Sequence, residues 1–240
     1  FDYKKRLAPT SKFPGEKTCP YQPSLEIPEP FSRNEFKIDH VTNKSNKDRE
    51  FVMKQLKNSN YGFFPTHELN KFTIVYGIWG GAQWPGGSID PYKNILYVTS
   101  NDMPTKLKVF SSFDINKDLE YNTNWYDVKN IPLKDSDGYP GITPPWGSIT
   151  ALDLNEGKII WQKPLGYFEK LKDKGFTDTG TFNFGGATST AGGLVFAAGT
   201  LDKLIRAFDS DTGEELWSHK LPYIGSAPPT VYEAYGEQYL

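Results

Sequence analysis

Several things are scarce in this chain, and each scarcity closes off a class of protein. Among 240 residues there is one cysteine, Cys19, so no internal disulfide can form. The three histidines, His40, His67 and His219, lie far apart in sequence, and no Cys/His cluster has the spacing of zinc ligands. Lys and Arg number 27 against 29 Asp and Glu, and a formal charge of −2 leaves no basic excess to hold a phosphate backbone. Nucleic acid is therefore set aside as a partner. No apolar run approaches the ~20 residues that cross a bilayer. Phe1 to Arg6 has no apolar core after its charges, so these residues do not read as a signal peptide.

What is abundant points elsewhere. The chain has 22 Gly, 18 Pro and 15% aromatic residues, a composition suited to packed sheets joined by tight turns. Two segments repeat each other without a gap. ITALDLNEGKIIWQKPLG begins at Ile149 and IRAFDSDTGEELWSHKLP at Ile205, an offset of 56 residues. Ala151/Ala207, Asp153/Asp209, Gly157/Gly213 and Trp161/Trp217 fall in register. Repeats of this length are units that cannot bury an apolar face alone and stack on their neighbours. Within each copy, Ile205 to Asp209 alternates as a strand does, Asp211-Thr212-Gly213 supplies a turn, and Glu214 to Trp217 returns. Trp161 and Trp217 read as packing between adjacent sheets and are assigned no chemistry.

Inner strands are legible as near-continuous apolar runs at Asn94 to Thr99 and Gly193 to Ala198. Each follows a Gly-rich lead-in, Gly80 to Gly87 and Asn183 to Ala187. A third lead-in, Gly225 to Pro229, precedes Thr230-Val231-Tyr232, a Gly236 turn and Gln238-Tyr239-Leu240. Lead-in, buried strand, second strand, turn and Trp-bearing strand together describe the blade of a β-propeller. The expected fold is all-β, a partial propeller of about three to four blades.

Around the blades, residues 1–71 read as an irregular opening with a Pro-rich extended stretch from Phe13 to Phe31. Asn46 to Ser59 has helical spacing, with Phe51, Val52 and Leu56 on one side. Lys71 to Tyr76 reads as a strand leading into the first lead-in. Residues 102–145 form a long insertion rich in Pro, Asp, Asn and Lys, and 167–182 a shorter excursion. Phe1-Asp2 resembles the tail of a repeat strand and Leu240 falls in a strand just begun; three or so blades cannot close a ring. The sequence is thus expected to be the C-terminal part of a longer coding region.

The chain resembles the pyrroloquinoline-quinone (PQQ) dependent dehydrogenases, in particular the membrane-bound glucose dehydrogenase-like branch. The resemblance is carried by Phe13 to Thr18, Gly80-Gly81-Ala82-Gln83-Trp84 with Asp90-Pro91, and Pro144-Pro145-Trp146-Gly147 running into Thr150 to Leu154. It continues through Gly185 to Phe196 and Arg206 to Trp217, and covers nearly all of residues 1–240. It implies an eight-bladed propeller holding PQQ and Ca²⁺ near its axis. It also implies oxidation of a sugar, polyol or alcohol by hydride transfer to the quinone, with electrons passing to ubiquinone or a cytochrome. The catalytic Asp and most Ca²⁺ ligands are expected upstream of Phe1, so no catalytic and no metal-ligating residue is assigned within the chain, and the 240-residue piece alone is expected to be inactive. Periplasmic location follows from the resemblance, with membrane association arising only through other regions of the full-length protein.

The cofactor contacts expected here are Gln83, Trp84, Phe184 and Gly185. The family commonly has Asn where Gln83 stands, and a Gln amide can make the same bonds from a longer arm. Gln83 also reads as a turn-capping amide, and Trp84 also as packing. Phe184 matches the place of an aromatic residue facing the cofactor, with Gly185 allowing close backbone approach. Asp153 and Asp209 recur with the repeat, which fits turn hydrogen bonds rather than acid–base work, and Asp90 fits a turn before Pro91. His67 and His219 read as surface residues. Asp102, Asp135 and Asp137 read as part of a solvated loop without metal-loop spacing, and Cys19 has no partner for nucleophilic chemistry. The alternative function is a non-catalytic propeller such as the outer-membrane-assembly scaffold that shares the Trp repeat. Such a scaffold has no reason to keep the GGAQW lead-in.

Overall fold

The computed structural model describes residues 2–12, 16–78, 80–111 and 126–240. Phe1, the Phe13-Pro14-Gly15 step and the middle of the 102–145 insertion lie outside the described residues. In chain order the elements are β1 (Asp2–Leu7), β2 (Tyr21–Ile27), a 3-10 turn (Ile38–His40), α1 (Asn46–Leu56), β3 (Ser59–Asn60), β4 (Phe72–Val75), β5 (Gly81–Ala82), β6 (Ser88–Asp90), β7 (Ile95–Asn101) and β8 (Thr105–Ser111). They continue as β9 (Tyr126–Pro132), β10 (Gly147–Asp153), β11 (Lys158–Pro164), α2 (Glu169–Lys172), β12 (Ala187–Ser189), β13 (Leu194–Ala197), β14 (Leu204–Asp209), β15 (Glu215–Lys220), β16 (Tyr232–Ala234) and β17 (Glu237–Tyr239).

Two antiparallel meanders, one of five strands and one of four, are the complete blades. The second runs β12-β13-β14-β15; the first runs β11-β10-β7, with β5 and β6 sharing the far side of β7. The Gly-rich lead-ins thus carry short first strands of their own. The two blades match in detail. Ala151 pairs with Trp161 and Ala207 with Trp217, and each pairing shifts register at the next residue. Each turn is closed in the same way. Asp153 Oδ1 accepts from Asn155 N at 2.7 Å, Asp209 Oδ1 accepts from Thr212 N at 2.8 Å, and Gly157 and Gly213 take φ of 66° and 68°. These are the structural aspartates of the repeat. Asp90 likewise accepts from Tyr92 N and Lys93 N in its turn.

Neighbouring blades are keyed by the repeat Trp. Trp161 is buried, its indole N–H donates to Ser210 O at 2.9 Å, and its ring lies 6.0 Å from that of Tyr97. A Cβ on Gly213 would come within 2.6 Å of the Trp161 ring, so only glycine lets the second blade's turn seat on it. The first blade's turn seats on the β1–β2 hairpin in the same manner, since a Cβ on Gly157 would meet Ile27 at 2.5 Å and Glu29 N donates to Gly157 O at 2.8 Å. With the β16–β17 hairpin, bonded through Thr188 Oγ1 to Pro229 O, four sectors follow one another, two of them complete. Trp217 departs from the packing expectation: it is 47% exposed and stacks on His219.

Three other expectations are corrected. Apart from the helix that the sequence led one to expect, the opening 1–71 is not irregular, because it also holds β1, β2 and β3. The strand β4 belongs to no blade; it lies between β3 and β8 in a sheet completed by β9. The insertion is therefore not simply a solvated loop. Its strands extend that sheet, and Leu133, Ile142 and Trp146 join Phe36, Val41, Val52, Leu56, Ile74, Tyr76 and Leu171 in a second core. Third, α1 buries Asp48, Val52 and Leu56 but leaves Phe51 exposed. Its N-terminus is capped by Ser45, which accepts from Asp48 N. Asp48 is buried because Lys44 reaches it at 2.7 Å, and the same ammonium lies 3.6 Å from Asp135 and 2.6 Å from Asp137. This cluster ties the insertion to α1.

Candidate functional site

The first strands of the sectors are reached through the three Gly-rich lead-ins, and these lead-ins meet. A Cβ on Gly186 would lie 3.0 Å from Pro85, 3.2 Å from Gly86 O and 3.2 Å from Pro228. Gly86, Gly186 and Pro228 belong to three successive lead-ins that are distant in sequence. Two further ties set the first two lead-ins level with each other. Gln83 N donates to Thr99 O at 3.2 Å, while the hydroxyl of Thr99 donates to Gly185 O at 2.6 Å. Lower down, the Ser88 and Ser189 hydroxyls are 2.6 Å apart.

Gln83 and Gly185 are thus one buried threonine apart, and Trp84 and Phe184 are their chain neighbours. Gln83 is half-buried; its carbonyl accepts from Gly86 N at 3.0 Å and its amide reaches Gly81 O at 3.3 Å, so the turn-capping role is present. Trp84 is fully exposed at 100%, which corrects the packing expectation: no neighbouring sheet covers it. Phe184 is 42% exposed and stands edge-on to Phe182 with centroids 4.4 Å apart. Gly185 is required by close packing, since a Cβ there would fall 2.2 Å from Ala198 O. Trp84 and Phe184 are thus two exposed aromatic residues on adjoining lead-ins, with Gln83 next to Trp84 in the chain.

One connection was not anticipated from sequence. Asn101, at the end of β7, exchanges hydrogen bonds with Asn183: Asn183 N donates to Asn101 Oδ1 at 3.0 Å, and Asn101 Nδ2 donates to Asn183 O at 2.9 Å. Both residues are buried, and they lock the first and second blades together at the level of the lead-ins. The signal available was an Asn closing one apolar run and another opening the next lead-in.

Next to Gly80 and Gly81, a cavity of ≈ 450 Å³ separates the lead-in from the second core. Its walls include Phe36, Phe64, Ile74 and Tyr76, with Arg33 and His67 as polar members. Behind it runs a polar network. Arg33 N donates to Asp102 Oδ1 at 2.8 Å, Arg33 Nε lies 3.5 Å from Asp102 Oδ2, and Tyr76 Oη is 3.0 Å from His40 Nδ1. Lys37 N also donates to His40 Nδ1, which fixes that nitrogen as an acceptor and the proton on Nε2. Burial pushes the Asp102 carboxyl up, with Arg33 opposing, and pushes the Tyr76 phenol well up. Burial together with Arg33 and Lys37 lowers His40. His67 is not the plain surface residue expected, because its Nδ1 is buried without a partner among the described residues. His219 and Cys19 are exposed as expected.

No group of three or more His, Cys, Asp or Glu able to hold a metal ion occurs among the described residues. No helix among them is long and apolar enough to cross a membrane.

Comparison with known proteins agrees with this geometry. The glycerol dehydrogenase large subunit of Gluconobacter oxydans (strain 621H) is 31% identical over 98% of this chain and 36% of its own length. The quinoprotein glucose dehydrogenase of Escherichia coli (strain K12) is 30% identical over 70% of this chain and 24% of its own. The chain thus spans roughly a third or less of the length of these curated relatives. Among solved structures, the quinohemoprotein alcohol dehydrogenase from Comamonas testosteroni superimposes with a TM-score of 0.50 at 19% identity, covering 86% of this chain and 27% of that one; it supports the partial-propeller fold. The family model described as "PQQ: Glucose/ethanol/alcohol dehydrogenase, beta-propeller domain" matches residues 1–240, and the chain belongs to that family.

Proposed function

We propose that the chain is part of a PQQ-dependent dehydrogenase of the glucose dehydrogenase-like branch, all 240 residues lying within one eight-bladed propeller domain. The observation that carries this reading is the meeting of three Gly-rich lead-ins beside two uncovered aromatic rings. A planar quinone needs an apolar face to lie against and hydrogen-bonding groups at its rim. Trp84 and Phe184 offer the first and Gln83 the second, while Gly185 keeps the backbone close. The residues present therefore fit one wall of a PQQ site. When bound, PQQ supplies the redox chemistry, accepting a hydride from the carbinol carbon of a sugar, polyol or alcohol.

What these residues do is positional. Gln83 orients the cofactor's rim through its carboxamide, the two rings exclude water from its face, and the Asn101–Asn183 lock fixes the spacing between the lead-ins. Calcium is a different matter. The acidic oxygen cage that such a cation needs is absent among the described residues, and these residues do not fit a Ca²⁺ site. Electron transfer onward to ubiquinone or a cytochrome, and a periplasmic location with or without an inner-membrane tether, belong to the same proposal.

The experiment is reconstitution of the full-length gene product with PQQ, Ca²⁺ and a dye acceptor against sugars, polyols and alcohols. Dye reduction with at least one of them is expected, while the 240-residue chain by itself turns over none. Absence of reduction with every substrate contradicts the reading, as does turnover by the isolated chain.

A further inference from the structure

The sheet of β3, β4, β8 and β9, away from the blades, gathers positive charge on one face. Its pairing aligns Ser59 with Phe72, Phe72 with Lys108, and Lys108 with Lys129, so these four side chains stand in one row across the sheet. Lys108 and Lys129 are directly opposite each other, the placement in which like charges repel most. Lys106, two residues along β8, joins the same face. Its ammonium lies 5.3 Å from the centre of the Phe72 ring, and that of Lys108 lies 5.8 Å from it. One ring thus holds two ammonium groups in place. Lys57, at the end of α1, and Lys71, just ahead of Phe72, complete the group.

Little answers this charge. Among the described residues Lys71 alone of the five has a carboxylate partner, Glu68 at 3.3 Å, and Glu68 also holds Lys12 at 3.0 Å. Burial, and after it the charge of Lys129, pushes the Lys106 ammonium down. A helix dipole favours a lysine at a helix C-terminus, which accounts for Lys57 by itself. It does not account for Lys108 standing opposite Lys129.

Lys57, Lys71 and Lys108 line a cleft of ≈ 490 Å³ at the end of α1. Asn58 and Asn70 add amide groups, Phe72 adds an apolar wall, and no carboxylate lines it. We propose that this cleft binds the doubly charged phosphate group of a small soluble phosphate ester. Ammonium groups are point charges that suit a tetrahedral anion approached from several sides, whereas the planar fork that matches a carboxylate belongs to arginine, and none lines the cleft. Three lysines favour two negative charges over one. The recess has the volume of a small-molecule site, and Phe72 gives the organic part of an ester something to lie against.

The test is a titration of the full-length gene product at low salt with phenyl phosphate, read by NMR relaxation of the phenyl protons. Phenyl sulfate, of the same shape with one charge, is the comparison. Saturable binding of phenyl phosphate is expected at pH 8, with phenyl sulfate about fivefold weaker or worse. Binding weakens towards pH 5, where the phosphate loses its second charge. Lys108→Gln and Lys57→Gln are each expected to weaken phenyl phosphate about fivefold, the scale of one lost charge at a partly exposed site, while the remote Lys174→Gln leaves it unchanged. Lys108→Gln relieves the repulsion with Lys129, so its melting temperature does not fall; should it not fold, Lys57→Gln carries the same test. Equal binding of the two anions, unchanged affinity in both cleft variants, or an equal loss in Lys174→Gln overturns the proposal. So does lysine-dependent sedimentation with phosphatidylglycerol vesicles in the absence of phenyl phosphate binding, which would make the face a lipid-headgroup surface instead.

Discussion

Replacing Trp161 by alanine is expected to cost about 3–5 kcal/mol of stability, the range for emptying a buried aromatic site. The same change at Trp217 is expected to cost under about 1 kcal/mol, in line with a half-exposed ring. The two positions are equivalent in the repeat and share strand, register and bulge. What differs is the neighbour. Trp161 is covered by the turn of the next blade, donates to Ser210 O and lies beside Tyr97, whereas Trp217 is half-exposed with its face on His219. Urea unfolding of both variants separates blade-to-blade docking from any contribution of the hairpin itself. Equal losses at the two sites would show that the Trp serves its own sheet and that the sectors are not keyed to one another.

Lys44→Met is expected to cost about 3 kcal/mol at pH 7, the lower end for breaking a buried ion pair, because the Asp137 end of the cluster is open to water. The substitution leaves Asp48 and Asp135, both buried, facing each other without a counter-charge. The dependence on pH has a definite sign. Burial alone would raise the Asp48 carboxyl, but hydrogen bonds from Lys44, Ser136 and Ser45 outweigh it and hold it well below the usual carboxylate range. Its contribution in the unaltered protein is therefore complete above about pH 4, the titration of an unfolded Asp, and is lost as the pH falls further. Asp135 is pushed the other way by burial, with Lys44 opposing. Without Lys44 both carboxyls titrate upward and take up protons in the folded state. The stability difference between variant and parent should thus shrink between pH 7 and pH 4.5. Denaturation curves at the two values measure it, and a difference that widens on acidification would mean that the cluster is not held by charge.

The repeat and the blades were legible because they rest on local chemistry. Asp153 and Asp209 close their turns, Gly157 and Gly213 take positive φ, and Trp161 sits where a ring can seal a gap, all of it written within eighteen-residue windows. The helix was legible from its spacing, although that reading ran to Ser59 and the helix ends at Leu56. The second core was not. Its sheet joins β3 and β4 to strands from the insertion more than thirty residues away, and a polar, Pro-rich composition concealed that pairing. Asp135 looked solvated because its partner, Lys44, stands 91 residues earlier in the chain. At the candidate site, the four residues marked in the sequence fall on two lead-ins that meet. The Asn101–Asn183 lock had no periodic signature and emerged only from three-dimensional contact.

Whether a redox quinone lies against the meeting lead-ins, as proposed, is read by titrating PQQ into the full-length gene product while following tryptophan emission. Trp84 is wholly exposed, so a planar quinone resting on it quenches its emission. Saturable quenching is expected, most of which disappears in Trp84→Phe while binding persists. Binding about tenfold weaker is expected in Gln83→Ala, the loss of a hydrogen bond worth about 1.4 kcal/mol. Emission that does not respond to PQQ, or quenching that survives unchanged in Trp84→Phe with Gln83→Ala binding as tightly as the parent, would contradict the proposal.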